Sequence, residues 1–371
     1  MTFLDRERAA LDAALPGLDT ELTALGVAAE ARDSGVVELF RKAGGGNLLI
    51  PAALGGLGAS ALTAVRVQRA LGSRSPSLAV GGTMHHYKVA WLAGEVREPA
   101  KLDLLRQVAQ QRWLVASCGA EGSRGLFNPG IEVRGAPGAG LIVSGTKRPC
   151  SLVWSMGVLS MLLATPADGP YAGDLVNVLV QADDPGITRS ALWGSPVLAA
   201  AQTDEIRLTD VPVPPERVIR LGRPGSAIPL VTASLVWFEV LITAAYLGAA
   251  SGLVERALDG RRGRPEDRSA AAGALEAVAA AVEGAAAGID RGELDEAALG
   301  RALFVRYAAQ RAIAESTDRA LDLLGGGVFA SGPEALHLLG ASRGLAFHPP
   351  AEAAMRDSLA DHLTLGGLAL A

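Results

Sequence analysis

Residues 227–258 form one long, mostly apolar stretch, and any fold this chain adopts has to hide it. Glu239 is the only charged residue between Arg223 and Glu255. A membrane span needs roughly 20 uninterrupted apolar residues, and Glu239 sits in the middle of the best candidate. The stretch is therefore read as the core helix of a soluble, cytoplasmic protein with no membrane partner. Residues 1–15 support this, because charges stand among their apolar positions and no signal-peptide core is present. A carboxylate in such a helix must be paired, reached through a cleft, or raised in pKa. The last state suits proton abstraction.

The surrounding sequence divides in three. Residues 1–111 read as helical, with apolar positions at three- and four-residue spacing over 7–25 and 61–71. Pro51, Gly55, Gly56 and Gly58 mark a loop between those segments. Residues 112–222 carry short β-rich runs at 113–116, 141–144, 158–163, 176–180 and 205–208, separated by Gly, Pro and Asp, as in an antiparallel β-domain. Residues 223–371 return to helix, with alanine-rich helices expected over 269–288 and 293–324, the second ended by residues 325–327.

Charge and cysteine content narrow the function classes. The net charge of −5 comes without any basic stripe, so no nucleic-acid partner is expected. Cys118 and Cys150 are the only cysteines, too few for a disulfide framework, and no Cys/His cluster has metal-ligand spacing. No metal is expected.

Six segments, in order, resemble the acyl-CoA dehydrogenase family over nearly the whole chain. They are LIPAALGGLGAS (49–60), VASCGAEGSRG (115–125), VSGTKRPCS (143–151), EIRLTDVPVPPERVI (205–219), YLGAASGLVERALDG (246–260) and ALDLLGGGVFASGP (320–333). The resemblance implies an α+β fold: a helical N-terminal domain over 1–111, a central β-barrel-like domain over 112–222 and a C-terminal four-helix bundle over 223–371. It implies FAD and an acyl thioester, carried on CoA or on an acyl carrier protein, as in secondary metabolism. It implies a homodimer or homotetramer and leaves the electron acceptor open. The reaction implied is α-proton abstraction with β-hydride transfer to the flavin.

By the same resemblance Ser117, Gly119, Ala120 and Ser123 line the flavin, and Ser151 takes the place of a family threonine beside it. The family tryptophan nearby is Pro149 here. Gly325 and Gly326 match a loop that meets the adenine end of FAD. Their G-x-G-x-x-A pattern follows a helix rather than a strand, so it is not a dinucleotide fingerprint. The family's C-terminal catalytic glutamate has no counterpart in AFHPPAEAAMRD (346–357). A second family position, on the first long C-terminal helix, falls on Ile242. Glu239 lies three residues earlier, about 4.5 Å along the axis, and is the expected base, with a structural carboxylate as the plainer alternative.

His348 in FHPP is the rival catalytic residue, and His85 and His86 fall on a helix that borders the substrate cavity in this fold. These histidines resemble those of flavin monooxygenases of the same fold. Two further readings therefore stand beside the dehydrogenase: a two-component flavin monooxygenase, and a flavin-free binding module.

Overall fold

The computed structural model describes residues 2–95, 99–117 and 130–368. Six helices come first: α1 (Asp5–Ala14), α2 (Leu18–Leu25), α3 (Val36–Lys42), α4 (Ala61–Arg74), α5 (Pro76–Glu95) and α6 (Pro99–Gln111). The helical pattern over 7–25 is interrupted after α1, because Gly17 adopts a left-handed conformation at the start of α2. The glycine-rich loop before α4 ends in a cap. The Ser60 hydroxyl accepts from the Thr63 amide, and the Asp290 carboxylate accepts from the Ala61 amide at 2.6 Å.

Eight strands follow, in two four-stranded sheets. The first orders β1 (Val115–Ser117), β4 (Val158–Ala164), β5 (Leu175–Gln181) and β8 (Val218–Gly222). The second orders β2 (Ile131–Gly135), β3 (Leu141–Cys150), β7 (Asp204–Val213) and β6 (Ile187–Ser190). Pairing is antiparallel except for β1 and β4, which run parallel with Val115 opposite Val158. The expected all-antiparallel arrangement is corrected at that pair. β1 enters the sheet directly from the helices, without a hairpin.

Five helices close the chain: α7 (Pro224–Asp259), α8 (Pro265–Asp290), α9 (Glu296–Ser331), α10 (Pro333–Ser342) and α11 (Glu352–Leu365). By length and composition α7 and α8 could cross a membrane, but α7 is the core helix the sequence demands, packed against α4, α5, α8, α9 and α10. Its closest approach is to α4. A Cβ on Gly248 would lie 2.4 Å from the Arg69 carbonyl oxygen and 2.8 Å from the Gly72 Cα. The two backbones touch because neither residue carries a side chain. Gly325, at φ 77 and ψ 171, breaks α9 where the sequence places a helix end, and a second helical segment carries on to Ser331. Arg262 donates to the Leu324 carbonyl at that kink, at 2.8 Å.

Candidate active site

One face of α5 is built differently from the rest of the helix. Met84, Tyr87, Lys88 and Trp91 keep 5–8 % of their surface exposed, whereas Thr83, His85, His86, Val89 and Leu92 keep 0–1 %. Spacings of three, four and seven residues place the first set on one stripe, so that stripe looks into a narrow crevice. From α7, Phe238 meets it edge to face, its ring centroid 5.4 Å from that of Tyr87. His348 lies on the other side of Phe238, ring centroids 6.0 Å apart. From β1, Ser117 shares a 2.8 Å hydrogen bond with the Tyr87 hydroxyl. A row of rings thus runs from Trp91 and Tyr87 through Phe238 to His348.

His85, on the opposite side of α5, fixes β1. Its Nε2 bonds the Gly46 carbonyl at 2.6 Å, and its Nδ1 accepts from the Val115 amide at 2.9 Å. The second bond requires a lone pair on Nδ1, so the proton sits on Nε2. Burial lowers the His85 pKa to about 4, opposed by the bond to Gly46. His86, beside it, is also driven well below its ordinary value by burial and by His85.

His348 is held from α9. Arg306, without solvent contact, donates to Glu239 at 2.8 Å, to the Pro349 carbonyl at 3.1 Å, to the Leu345 carbonyl at 3.2 Å and to the His348 carbonyl. Tyr307 adds a bond to the Pro350 carbonyl at 3.0 Å. His348 follows a 3-10 turn over Arg343–Phe347, and beyond that turn these donors satisfy the carbonyls of His348, Pro349 and Pro350. The imidazole Nε2 meets the Tyr246 hydroxyl at 2.9 Å. Burial, then the Arg306 charge, lowers the His348 pKa to about 3, so the ring is neutral at physiological pH.

Glu239 is fully buried in α7, with Oε2 on Arg306 and Oε1 without a partner. Burial raises its pKa to about 7, against the pull of Arg306. The pKa shift suits a base, but the side chain is engaged in an ion pair rather than standing free.

Ser151 follows β3 and shares a 2.9 Å hydrogen bond with Thr203. Gly325 and Gly326 sit at the α9 kink; an added Cβ on Gly325 would come within 4 Å only of Arg262, and one on Gly326 would meet nothing. Gly119, Ala120 and Ser123 lie outside the described residues. Cys150 is buried. An open groove of about 520 Å³ lies instead among the strands and shares no residue with the crevice. Its Arg134 and Asp210 already pair with each other at 2.5 Å, which leaves little there for a ligand to satisfy.

No known domain-family profile matches the chain. It is 41 % identical to isobutylamine N-hydroxylase from Streptomyces viridifaciens over 378 residues, spanning 99 % of this chain and 100 % of the relative. The chain belongs to the isobutylamine N-hydroxylase family. In fold it resembles FMN-bound TdsC from Paenibacillus sp. A11-2, with a TM-score of 0.86 at 19 % identity over 98 % of both chains. It also resembles the FAD complex of PigA, with a TM-score of 0.80 at 18 % identity over 98 % of this chain and 97 % of that one. The chain shares the acyl-CoA dehydrogenase-like fold of flavin enzymes. Its structural neighbours take FMN or FAD, so the finding is a flavin rather than FAD alone.

The crevice residues of this N-hydroxylase family member fit an isoalloxazine. The aromatic and thioether side chains of Tyr87, Phe238 and Met84 suit its flat ring, and the Ser117 hydroxyl beside Tyr87 is a polar group within the same crevice. The sequence reading missed Tyr87, Lys88, Trp91, Phe238, Tyr246 and Arg306. The available signal was the 84, 87, 88, 91 spacing, with a lysine on a helix that is otherwise largely apolar.

Proposed function

We propose that this enzyme transfers one oxygen atom to the nitrogen of a small primary amine, using reduced flavin supplied from outside. The observation that carries the reading is the end-to-end identity with an amine N-hydroxylase. Reduced flavin supplies two electrons and activates dioxygen, so that one oxygen atom goes to nitrogen and the other leaves as water.

The residues of the chain perform the remaining work. The amine must attack through its lone pair, so it has to enter unprotonated and shed a proton as the N–O bond forms. His348 suits the positioning part of that task. It is neutral, it lines the crevice, and with its Nε2–H donating to the Tyr246 oxygen its Nδ1 lone pair accepts a hydrogen bond from the amine N–H, whose proton then passes to solvent. Arg306 and Tyr307 orient the imidazole through the backbone that carries it. Phe238, Tyr87 and Met84 exclude water from the reacting nitrogen.

Glu239 is assigned to holding Arg306. Oxidation of an acyl thioester would need a carboxylate free to face the α-carbon, and the arginine already occupies this one. The test is aerobic turnover of isobutylamine with chemically reduced FMN or FAD, read by mass spectrometry of the hydroxylamine. No hydroxylamine from isobutylamine or its near homologues, with either flavin, contradicts the reading.

A further inference from the structure

The ammonium of Lys88 lies between two aromatic rings, 5.2 Å from the centroid of Tyr87 and 5.3 Å from that of Trp91. It is 7 % exposed, and no hydrogen bond or ion pair to it is found among the described residues. Trp91 lies one helical turn further on the same face, and its buried indole N–H has no acceptor. The two side chains offer donors only: an ammonium with three N–H groups and an indole with one. A second buried lysine, Lys147, is close enough to depress Lys88, which burial and that neighbour together bring down to about 8. Leaving the Lys88 ammonium and the Trp91 indole N–H without acceptors is costly. Both residues stand on the slightly exposed stripe of α5.

We propose that Lys88 and Trp91 form a subsite for an oxyanion, a carboxylate or phosphate carried by a molecule that enters the crevice. The ammonium supplies charge and the indole supplies a directed donor, while the rings of Tyr87 and Trp91 shield the pair from water. If the oxyanion belongs to the substrate, the inference rests on the amine reading above and narrows it to amines that also bear an acidic group. If it belongs to the cofactor, it is the flavin phosphate.

Thermal unfolding of the full chain, with and without FMN, separates these cases. Sodium isobutyrate and inorganic phosphate are titrated against isobutanol and against sodium chloride at matched ionic strength. FMN is compared with riboflavin in the same assay. The wild type is expected to be stabilised saturably by at least one oxyanion probe, and not by isobutanol. Lys88→Met is expected to weaken that binding roughly tenfold to hundredfold, the range of a charged hydrogen bond, while unfolding no earlier than wild type without ligand, because an unpaired buried cation has been removed. Trp91→Phe keeps the ring and loses the donor; it is expected to weaken binding by a smaller factor, and it serves if Lys88→Met does not fold. Loss confined to the FMN-over-riboflavin preference assigns the subsite to the cofactor's phosphate, and loss of isobutyrate binding assigns it to the substrate. No saturable effect of any oxyanion on wild type, or equal effects on the variants, overturns the proposal. Oxyanion binding without amine turnover leaves the subsite standing and removes the amine reading; turnover without oxyanion binding does the reverse.

Discussion

Arg306 donates to Glu239 and to three main-chain carbonyls from a position without solvent contact, so its loss strands a buried carboxylate along with those acceptors. Arg306→Met is expected to cost about 3–5 kcal/mol in chemical denaturation. Adding Glu239→Leu should recover part of the loss, because the stranded charge is gone. Glu239→Gln keeps an acceptor for Arg306, and kcat/KM for amine oxygenation should stay within about tenfold of wild type. His348→Ala should lose about tenfold to a hundredfold, the worth of a hydrogen bond to the amine nitrogen as it becomes positive. Equal losses in the two variants would return Glu239 to the role of base. The sequence singled out both residues, since a lone carboxylate in an apolar helix and a histidine before two prolines are visible without coordinates. It could not reveal Arg306, one arginine among many, because what distinguishes it is burial against residues 239 and 345–349. Lys88 was hidden for the same reason: its lack of a partner is a property of three-dimensional surroundings.

At the scale of elements, α5 ties the crevice to acid stability. His85 has a folded-state pKa of about 4 against an ordinary 6.5, so between those values the unfolded chain binds more protons than the folded one. Stability is therefore full above pH 6.5 and falls as pH drops toward 4, by about 3 kcal/mol from this residue alone. His86 and His348 are shifted the same way. His85→Gln should flatten the pH dependence of unfolding free energy in that window; an unchanged slope would show that His85 does not carry it. The α4–α7 crossing is a second element-scale test. Gly248→Val drives side-chain atoms into the α4 backbone and should lower stability by about 1–3 kcal/mol or more. The long helices and the longer strands were legible from periodicity. β2, β6 and β8 were not, because they are only 5, 4 and 5 residues long and half-exposed, with little apolar alternation to mark them. The break at Gly325 was legible in the glycine run, whereas the helical segment that follows it to Ser331 was not, because glycines alone do not show whether helix resumes.

For the whole molecule, order along the chain carried the fold: helices, then strands, then helices, with six family-like segments in sequence. The same order could not separate a dehydrogenase from an oxygenase, because both reactions use one scaffold and differ in which side chains face the flavin. The side chains gathered at the candidate site come from residues 84, 87, 88, 91, 117, 238, 246 and 348, brought together by packing that no local pattern encodes. The most direct test mixes enzyme, reduced flavin and isobutylamine under oxygen-18 gas and follows the label by mass spectrometry. Label in the hydroxylamine product, together with no bleaching of oxidised flavin by butyryl-CoA under anaerobic conditions, is the result expected here. Bleaching by the thioester without added reductant, and no label on nitrogen, would contradict it.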